Sequence, residues 1–524
     1  MSTPTQIIDF SRYLPPGVYV NPVAGPQLAL NNVLPTAIAI FGLSIGYNNF
    51  VQTITVQADT NDTTPAINQT LAQEGINTST IVVSNPNSGQ QYTLNTDYTV
   101  VNVGGTNNTS DALYTISRVI SGHINPGQAV QISYQYTDPS YFEPQTFYTY
   151  NDVVTAYGAP FNTTTGAIQS ELTLACKFAF LNGAYQIMTV AVDPANPSAP
   201  TVGDYYNALN LFYDQALVAL VVCANGSFQP LQQLIQEHVD QQSANRFERR
   251  AIIGMDGTTT PVPSSQRIIN AQELYDERIA LVSPATFTYY SPELSQSIVL
   301  GGQFMAASLA GMVMAMSFVQ PLTHKTITGW TNVAEIELDS LKSFESQNGL
   351  MVVEMAPPNA QQIWVRHGVT TNSTDLLHRE WNIIGQQDVM VYTLRAYLNN
   401  ANLIGQPIYD YTLINVKSAV EAALQSLVVN SIIVDYTGLS VRQLITNPDV
   451  LEASFSWLPA FPLNYIVLTF GISLTTGAVT SQGTTSNTSD FTSSQSTSNT
   501  TGVTAPSSSS INDFGGASNT LQSD

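Results

Sequence analysis

The chain has 524 residues, 43% of them hydrophobic, which is enough to core several domains. Only 10% are charged, against a usual ~25%, so Asn, Gln, Ser, Thr and Tyr must make up most of the surface. Fifteen basic residues against 37 acidic ones give a net charge of −22, and no Lys or Arg occurs from Tyr13 to Ser117; this argues against direct nucleic-acid binding, which needs clustered cations.

Residues 1–22 read as an N-terminal extended arm carrying Pro16-Gly17-Val18-Tyr19-Val20. Valine and tyrosine suit a pleated surface. A short strand on a loose arm cannot satisfy its own backbone groups, so it calls for another sheet. The leader MSTPTQIIDFSRYLPPG has no basic-plus-apolar signal pattern. Thr36 to Gly42 is a nearly continuous apolar run and predicts a buried first strand of a core sheet.

Residues 51–139 change character. Short alternating runs (Val51–Val56, Ser79–Val83, Tyr98–Val101, Tyr114–Ile116, Ala129–Tyr134) are separated by Asn-Pro, Ser-Gly and Gly-Gly turns. They predict an inserted β-sandwich-like domain. Sequons such as Asn61-Asp62-Thr63 are read as chance in so Asn/Thr-rich a chain.

From 140 strands alternate with helices, which predicts a mostly parallel sheet covered on both faces. The predicted helices are Leu172–Leu181, Asp204–Leu217 and 231–245; the predicted strands are Gln186–Val192, Ala219–Val222, Ala251–Gly254 and Ile279–Val282. Cys176 and Cys223 lie in apolar runs and read as buried free thiols. Ile298 to Val319 approaches membrane length, but Gln303, Ser308, Ser317 and three glycines interrupt it. It reads as a close-packed core helix, with no membrane insertion.

The core α/β domain is therefore expected from 23–50 and 140–335, discontinuous in sequence, and a C-terminal α+β domain from 336–473. In the latter, Asp388–Leu398 and Val416–Val428 read as helices, the second capped by Asn415. Leu451–Trp457 and Asn464–Ser473 read as strands. Residues 474–524 hold no Lys or Arg and are dominated by Ser and Thr, so this tail is expected to be disordered. A strand at each end of the folded part, Val18-Tyr19-Val20 and Tyr465-Ile466-Val467-Leu468-Thr469-Phe470, points to strand exchange between copies and hence to a homo-oligomer. The fold class is α+β and multidomain, with an α/β core sheet, the all-β insertion, the C-terminal α+β part and extended terminal strands.

The order of these elements resembles the contractile tail sheath proteins of bacteriophages. Pro16–Val20 is similar to that family's opening strand and Thr36–Gly42 to its first core strand. Val82–Val100 is similar to its β-rich insertions, and Phe178–Gly183 to its helix ending in Asn-Gly. Leu281-Val282-Ser283-Pro284, the Gly301–Val319 segment and Pro321-Leu322 look like its small-residue region. Ile363–Arg366 and His378–Trp381 echo only part of the family's aromatic and Arg-rich motif. The resemblance implies a mechanical virion protein, assembled in the host cytoplasm. Its copies would stack as hexameric rings around a tail tube, with the tail tube protein, baseplate and tail terminator proteins as partners. It implies no enzyme and no cofactor.

No signature of an enzyme stands out. His123, His238, His324, His367 and His378 lack metal-site spacing, and no phosphate loop or nucleophile elbow is present. An acidic pair such as Asp339 with Glu345 is the weak footing for a glycan-cleaving reading. Arg246, Arg249 and Arg250 form the one basic cluster and read as an inter-subunit or tube-facing contact, or as a solvated loop. Trp381 and Trp457 read as core. The alternative function is a virion adhesin binding host glycans through the Tyr- and Asn-rich insertion.

Overall fold

The computed structural model describes residues 34–44, 47–56, 69–105, 112–137, 139–194, 199–335, 337–356 and 362–470. The arm at Val18–Val20 and the Ser/Thr-rich stretch from 474 lie outside the described residues. The chain divides after Tyr465 into two units, and all the described strands and helices belong to the first.

Strand β1 (Ala37–Leu43) has every residue but the last buried, as a central parallel strand requires. The chain then leaves for the insertion: β2 (Tyr47–Thr55), β3 (Gln69–Thr70), β4 (Ile76–Ser84), β5 (Gln91–Tyr92), β6 (Tyr98–Gly104), β7 (Leu113–Arg118) and β8 (Ala129–Thr137). These make two sheets, β2-β8-β4-β5 and β3-β7-β6. Between them lies one core of Val83, Tyr98, Ile116, Ile132 and Tyr134 among others. Strand β2 pairs with β8 residue for residue, from Tyr47 opposite Thr137 to Thr55 opposite Ala129.

The return path is β9 (Gln145–Phe147), α1 (Tyr150–Tyr157), α2 (Glu171–Leu181), β10 (Ile187–Val192), α3 (Val202–Asn210), β11 (Val218–Cys223), α4 (Gln229–Ala244), β12 (Arg250–Ile253), α5 (Ser264–Leu274), β13 (Ile279–Ser283), β14 (Thr286–Ser291), β15 (Gln296–Gly301) and α6 (Gly302–Met316). Then come β16 (Thr326–Ile327), β17 (Trp330–Val333), α7 (Asp339–Gln347), β18 (Leu350–Met355) and β19 (Ile363–Val365). Local signals start the helices: Ser170 Oγ accepts from Thr173 N (3.1 Å) at α2, and Thr201 with Asp204 forms a capping box at α3.

The core sheet has nine strands in the order β16-β19-β18-β13-β12-β11-β1-β10-β9. Its parallel centre, β10-β1-β11-β12-β13, follows the 2-1-3-4-5 order of a doubly wound sheet. Alternation along β1 sorts the two faces: Ile38 and Ile40 belong to the core that includes α1, α2 and α6, while Ala37, Ala39 and Phe41 belong to the one that includes α3, α4 and α5. Strands β18 and β19 extend this sheet beyond β13, as far as Val365. Predicted helix Asp204–Leu217 ends early, at Asn210, and Asp214 turns the chain with φ +57°.

The segment Ile298–Val319 is part strand and part helix. Residues 298–301 close β15, and α6 begins at Gly302. Twelve residues of α6, Gly302 to Val313, are buried. A Cβ at Gly311 would stand 2.1 Å from the Ala179 carbonyl oxygen, so α2 and α6 touch backbone to backbone there. Among the described residues no helix is long and apolar enough to cross a membrane.

Open doubly wound sheets usually bind ligands where the strand order reverses. Here that place, between β1 and β11, is filled. Glu171 accepts from Tyr205 Oη (3.0 Å) and Asn225 Nδ2 (3.2 Å). Burial, with Tyr205, Leu43 and Asn225 opposing, pushes its carboxyl up to about 7. Next to it, Gly302 N donates to Met255 O (2.8 Å), bringing the start of α6 down onto the strand ends.

The chain ends its described course with α8 (Leu376–Arg379), α9 (Trp381–Asn400), α10 (Asp410–Val429), β20 (Ile433–Gln443) and β21 (Leu451–Pro459). Asn415 lies inside α10, not at its cap; the helix starts where Thr412 Oγ1 accepts from Tyr409 N (3.1 Å). Strand β20 was not anticipated from the sequence.

Candidate inter-subunit surface

Strands β20 and β21 form a two-stranded antiparallel sheet of their own. Its inner side packs on α9 and α10 through Val389, Met390, Val420, Leu424, Leu427 and Ile433, with Phe455 and Trp457 half-buried against them. Two strands alone are marginal in water, so this helical backing is what holds them. Both outer edges carry no ladder partner among the described residues. An unpaired edge 11 residues long in β20 is a template for an incoming strand.

The second unit begins at Ile466. The expected strand Asn464–Ser473 is absent as a strand: 464–470 make no ladder, and 471–473 lie outside the described residues. Tyr465, Ile466, Val467, Leu468 and Phe470 are 74–86% exposed. A run with this composition has strong β-propensity but joins no sheet among the described residues. Of the nine predicted exchange residues, Val18, Tyr19 and Val20 lie outside the described residues.

Within the basic cluster Arg246 is exposed, and Arg249 and Arg250 are buried in the subunit itself. Arg246 lies in a turn with φ +76°, whereas Arg249 and Arg250 are 0% and 1% exposed. Arg249 donates to the carbonyls of Phe212 (2.9 Å) and Gln215 (3.1 Å) and lies 3.1 Å from His238 Nε2. Burial, with Arg249 beside it, pulls His238 down to about 3, so this imidazole is neutral.

Arg250 instead fastens α9 to the core sheet. Its Nε is 3.2 Å from Asp388, its Nη1 donates to Trp381 O (3.0 Å), and its guanidinium lies 4.3 Å from the Trp381 ring. Asp388 also takes Arg278 at 2.8 Å. Further along, Arg395 grips Glu248 with both terminal nitrogens, and Tyr392 Oη donates to Glu248 O (3.1 Å). A Cβ at Gly385 would fall 1.9 Å from Phe318 O, which explains the glycine facing the core. Trp381, Gly385, Asp388, Tyr392 and Arg395 are spaced as one helical stripe, a signal the apolar pattern alone does not reveal.

The remaining candidates are engaged within the chain. His123 sits 2.7 Å from Asp97, His324 stacks on Trp364 at 4.1 Å, His367 is 3.0 Å from Glu380, and His378 is 2.6 Å from Asp375. Glu345 is buried against Arg267 (2.7 Å) and takes Ser283 Oγ (2.7 Å), whereas Asp339 pairs with Arg366 at the surface (2.7 Å). Those two carboxylates therefore serve separate ion pairs. Among the described residues no group of three or more His, Cys, Asp or Glu could hold a metal. The cavity inside the insertion, lined by Ile54, Val83, Tyr98 and Ile116, is about 20 Å³, room for one water. A larger cleft of about 580 Å³ opens beside Glu354, Trp364, Arg366, Arg379 and Tyr465.

No family model matches the sequence. The chain is 43% identical over 583 residues to the tail sheath protein of Mycobacterium phage Bxz1, covering 91% of this chain and all of that protein. Among solved structures it is similar to the contracted helical sheath of the anti-feeding prophage (TM-score 0.49, 12% identity, 64% of this chain and 89% of that one). It is also similar to the sheath tail protein of Desulfitobacterium hafniense (TM-score 0.42, 11% identity, 85% of this chain and 100% of that one). On the extent and identity of the phage relative, the chain belongs to the bacteriophage tail sheath protein family and is a structural protein, not an enzyme.

Proposed function

We propose that this chain is the repeating subunit of a contractile phage tail sheath whose copies are joined by exchanged strands. The observation that carries the reading is a mismatch within one molecule. Among the described residues the chain holds a two-stranded sheet with open edges and also an exposed, unpaired β-prone segment, Tyr465 to Phe470. Each supplies what the other lacks, but in another copy. Val18–Val20 would add a second donated strand. Contacts of this kind join unlike surfaces and need not close, so they build a helical assembly.

In this reading subunits stack as hexameric rings around the tail tube, between baseplate and tail terminator. The strand links hold while the bodies rotate outward, and contraction drives the tube through the host envelope. Assembly takes place in the host cytoplasm and the product is part of the virion. Direct nucleic-acid contact has no place in it, nor does membrane insertion.

Negative-stain microscopy of the purified chain, alone and with its tail tube protein, tests the reading. Uniform hollow tubes or stacked six-fold rings are expected. Persistent monomers in both conditions would overturn it.

A further inference from the structure

The exposed segment that begins at Tyr465 does not hang from β21 directly. Between Pro459 and Tyr465 the chain is gripped twice, once through its backbone and once through a side chain, by α9 and its flank. At the first point, Gln386 behaves as a substitute strand: its Nε2 donates to Ala460 O (2.8 Å) and its Oε1 accepts from Ala460 N (2.8 Å). Asn382 Nδ2 donates to the same carbonyl (3.3 Å). Both amide side chains are buried, at 1% and 2% exposure, so neither is an incidental surface contact.

At the second point Asn464 Nδ2 donates to Glu380 Oε1 (3.2 Å). Glu380 is 1% exposed and takes two further partners, His367 Nε2 (3.0 Å) and Arg379 Nη2 (3.1 Å). Burial would raise its carboxyl, but the hydrogen bonds and charges of His367 and Arg379 outweigh this and hold it below the ordinary value. It is therefore an anion at neutral pH, seated at the N-cap of α9 where the helix dipole also favours negative charge. The first unit ends one residue later, at Tyr465.

We infer that Gln386 and Glu380 are positioning residues for strand exchange: an amide clasp at Ala460 and a carboxylate latch at Asn464 fix the point from which the donated strand leaves the subunit body. This rests on the strand-exchange reading. Pro459 and Pro462 fit the role, since neither offers an N–H for pairing and side chains must hold this stretch instead. A fixed root shortens the loose chain between body and strand, which lowers the entropy lost when the strand docks on a neighbour.

The test compares Asn464→Ala and Asn464→Asp in the full chain, by critical concentration for polymer formation at about pH 8 and about pH 5.5, each relative to wild type. Asn464→Ala deletes one donor to a charged acceptor and should raise the critical concentration about tenfold at both pH values. Asn464→Asp sets a second carboxylate against Glu380. At the higher pH the two repel. At the lower pH a proton shared between the two carboxyl groups closes the latch again. Across the cleft Asp339, Glu354, Arg366 and His324 face the same site and are common to all variants. The aspartate variant should thus lose at least about tenfold at high pH and return to within about twofold of wild type at low pH. A site that only packs would give the same loss at both pH values with either substitution.

Wild-type behaviour of Asn464→Asp at the higher pH, or identical pH profiles for the two variants, would overturn the inference. Val467→Pro in the full chain separates this from the reading beneath it, because it removes a ladder donor from the strand itself. If Val467→Pro blocks polymerisation while both Asn464 variants polymerise normally, only the latch is wrong. If Val467→Pro also polymerises normally, strand exchange through this segment is wrong and the latch with it.

Discussion

Asp388→Asn should be among the most destabilising single changes of charge in the molecule. Asp388 is 6% exposed and bridges two guanidiniums, Arg250 at 3.2 Å and Arg278 at 2.8 Å. Arg250 is fully buried, and burial pulls it down to about 10 even with Asp388 opposing. The substitution keeps the shape but removes the charge, leaving a buried cation without a counter-ion. Breaking one partner of a buried pair costs about 3–5 kcal/mol. At a slope of about 3 kcal/mol per molar urea, the midpoint should fall by roughly 1–1.7 M. Urea titration of unassembled subunits followed by tryptophan fluorescence reads this, since the Trp381 ring lies 4.3 Å from Arg250. The double change Arg250→Met with Asp388→Leu should recover most of the loss, because a well-packed apolar pair often matches a buried ion pair. Arg278, nearer the surface, keeps the fields of Glu277 and Glu248. A single-variant midpoint within about 0.2 M of wild type would refute the reasoning, since the expected shift is several times larger.

Glu171→Gln should change the pH dependence of stability. The folded carboxyl sits at about 7 against an ordinary 4.5. Between those values the folded state holds a proton the unfolded state has lost, so wild-type stability falls as pH rises through that window, by at most about 3 kcal/mol. Denaturation midpoints at several pH values should show that slope in wild type and its loss in the amide variant. Gly311→Ala should destabilise by about 1–3 kcal/mol, because its methyl meets the Ala179 carbonyl rather than a side chain that can move; thermal melting measures it. Deleting residues 1–22 should leave a subunit with the wild-type melting profile that no longer forms tubes under the microscope, and normal tubes would contradict the role given to Val18–Val20.

The parallel strands of the core were legible because burial on both faces leaves near-continuous apolar runs, as in Ala37–Leu43 and Val218–Cys223. Alternation with turn residues marked the insertion for the same kind of reason. Strand β20 was missed because Asp435, Thr437, Ser440, Arg442 and Gln443 give it a largely wet surface, and only Ile433 is buried. Its strand state is imposed by β21 and α10, which a local window cannot see. The sheet membership of Leu350–Met355 and Ile363–Val365 was likewise set by distant partners.

Charge was the least legible property. Arg249 and Arg250 look like a surface patch in a chain so poor in basic residues, but both are among the largest fully buried side chains. Their partners, Phe212, Gln215, Trp381 and Asp388, lie up to 138 positions away in sequence, as Arg250 and Asp388 do. The clasp at Ala460 and the latch at Asn464 were hidden for the same reason, because Gln386 and Glu380 precede them by 74 and 84 residues. By contrast, the apolar run Tyr465–Phe470 could be read as strand-forming, but the sequence does not say that no ladder forms on it among the described residues.

A helical cryo-electron-microscopy reconstruction of the assembled polymer tests the central claim most directly. Residues 465–470 of each subunit should lie in a backbone ladder with an open edge of the β20–β21 sheet of a neighbouring subunit. Residues 465–470 paired within their own chain, or left unpaired while subunits join through other surfaces, would contradict it.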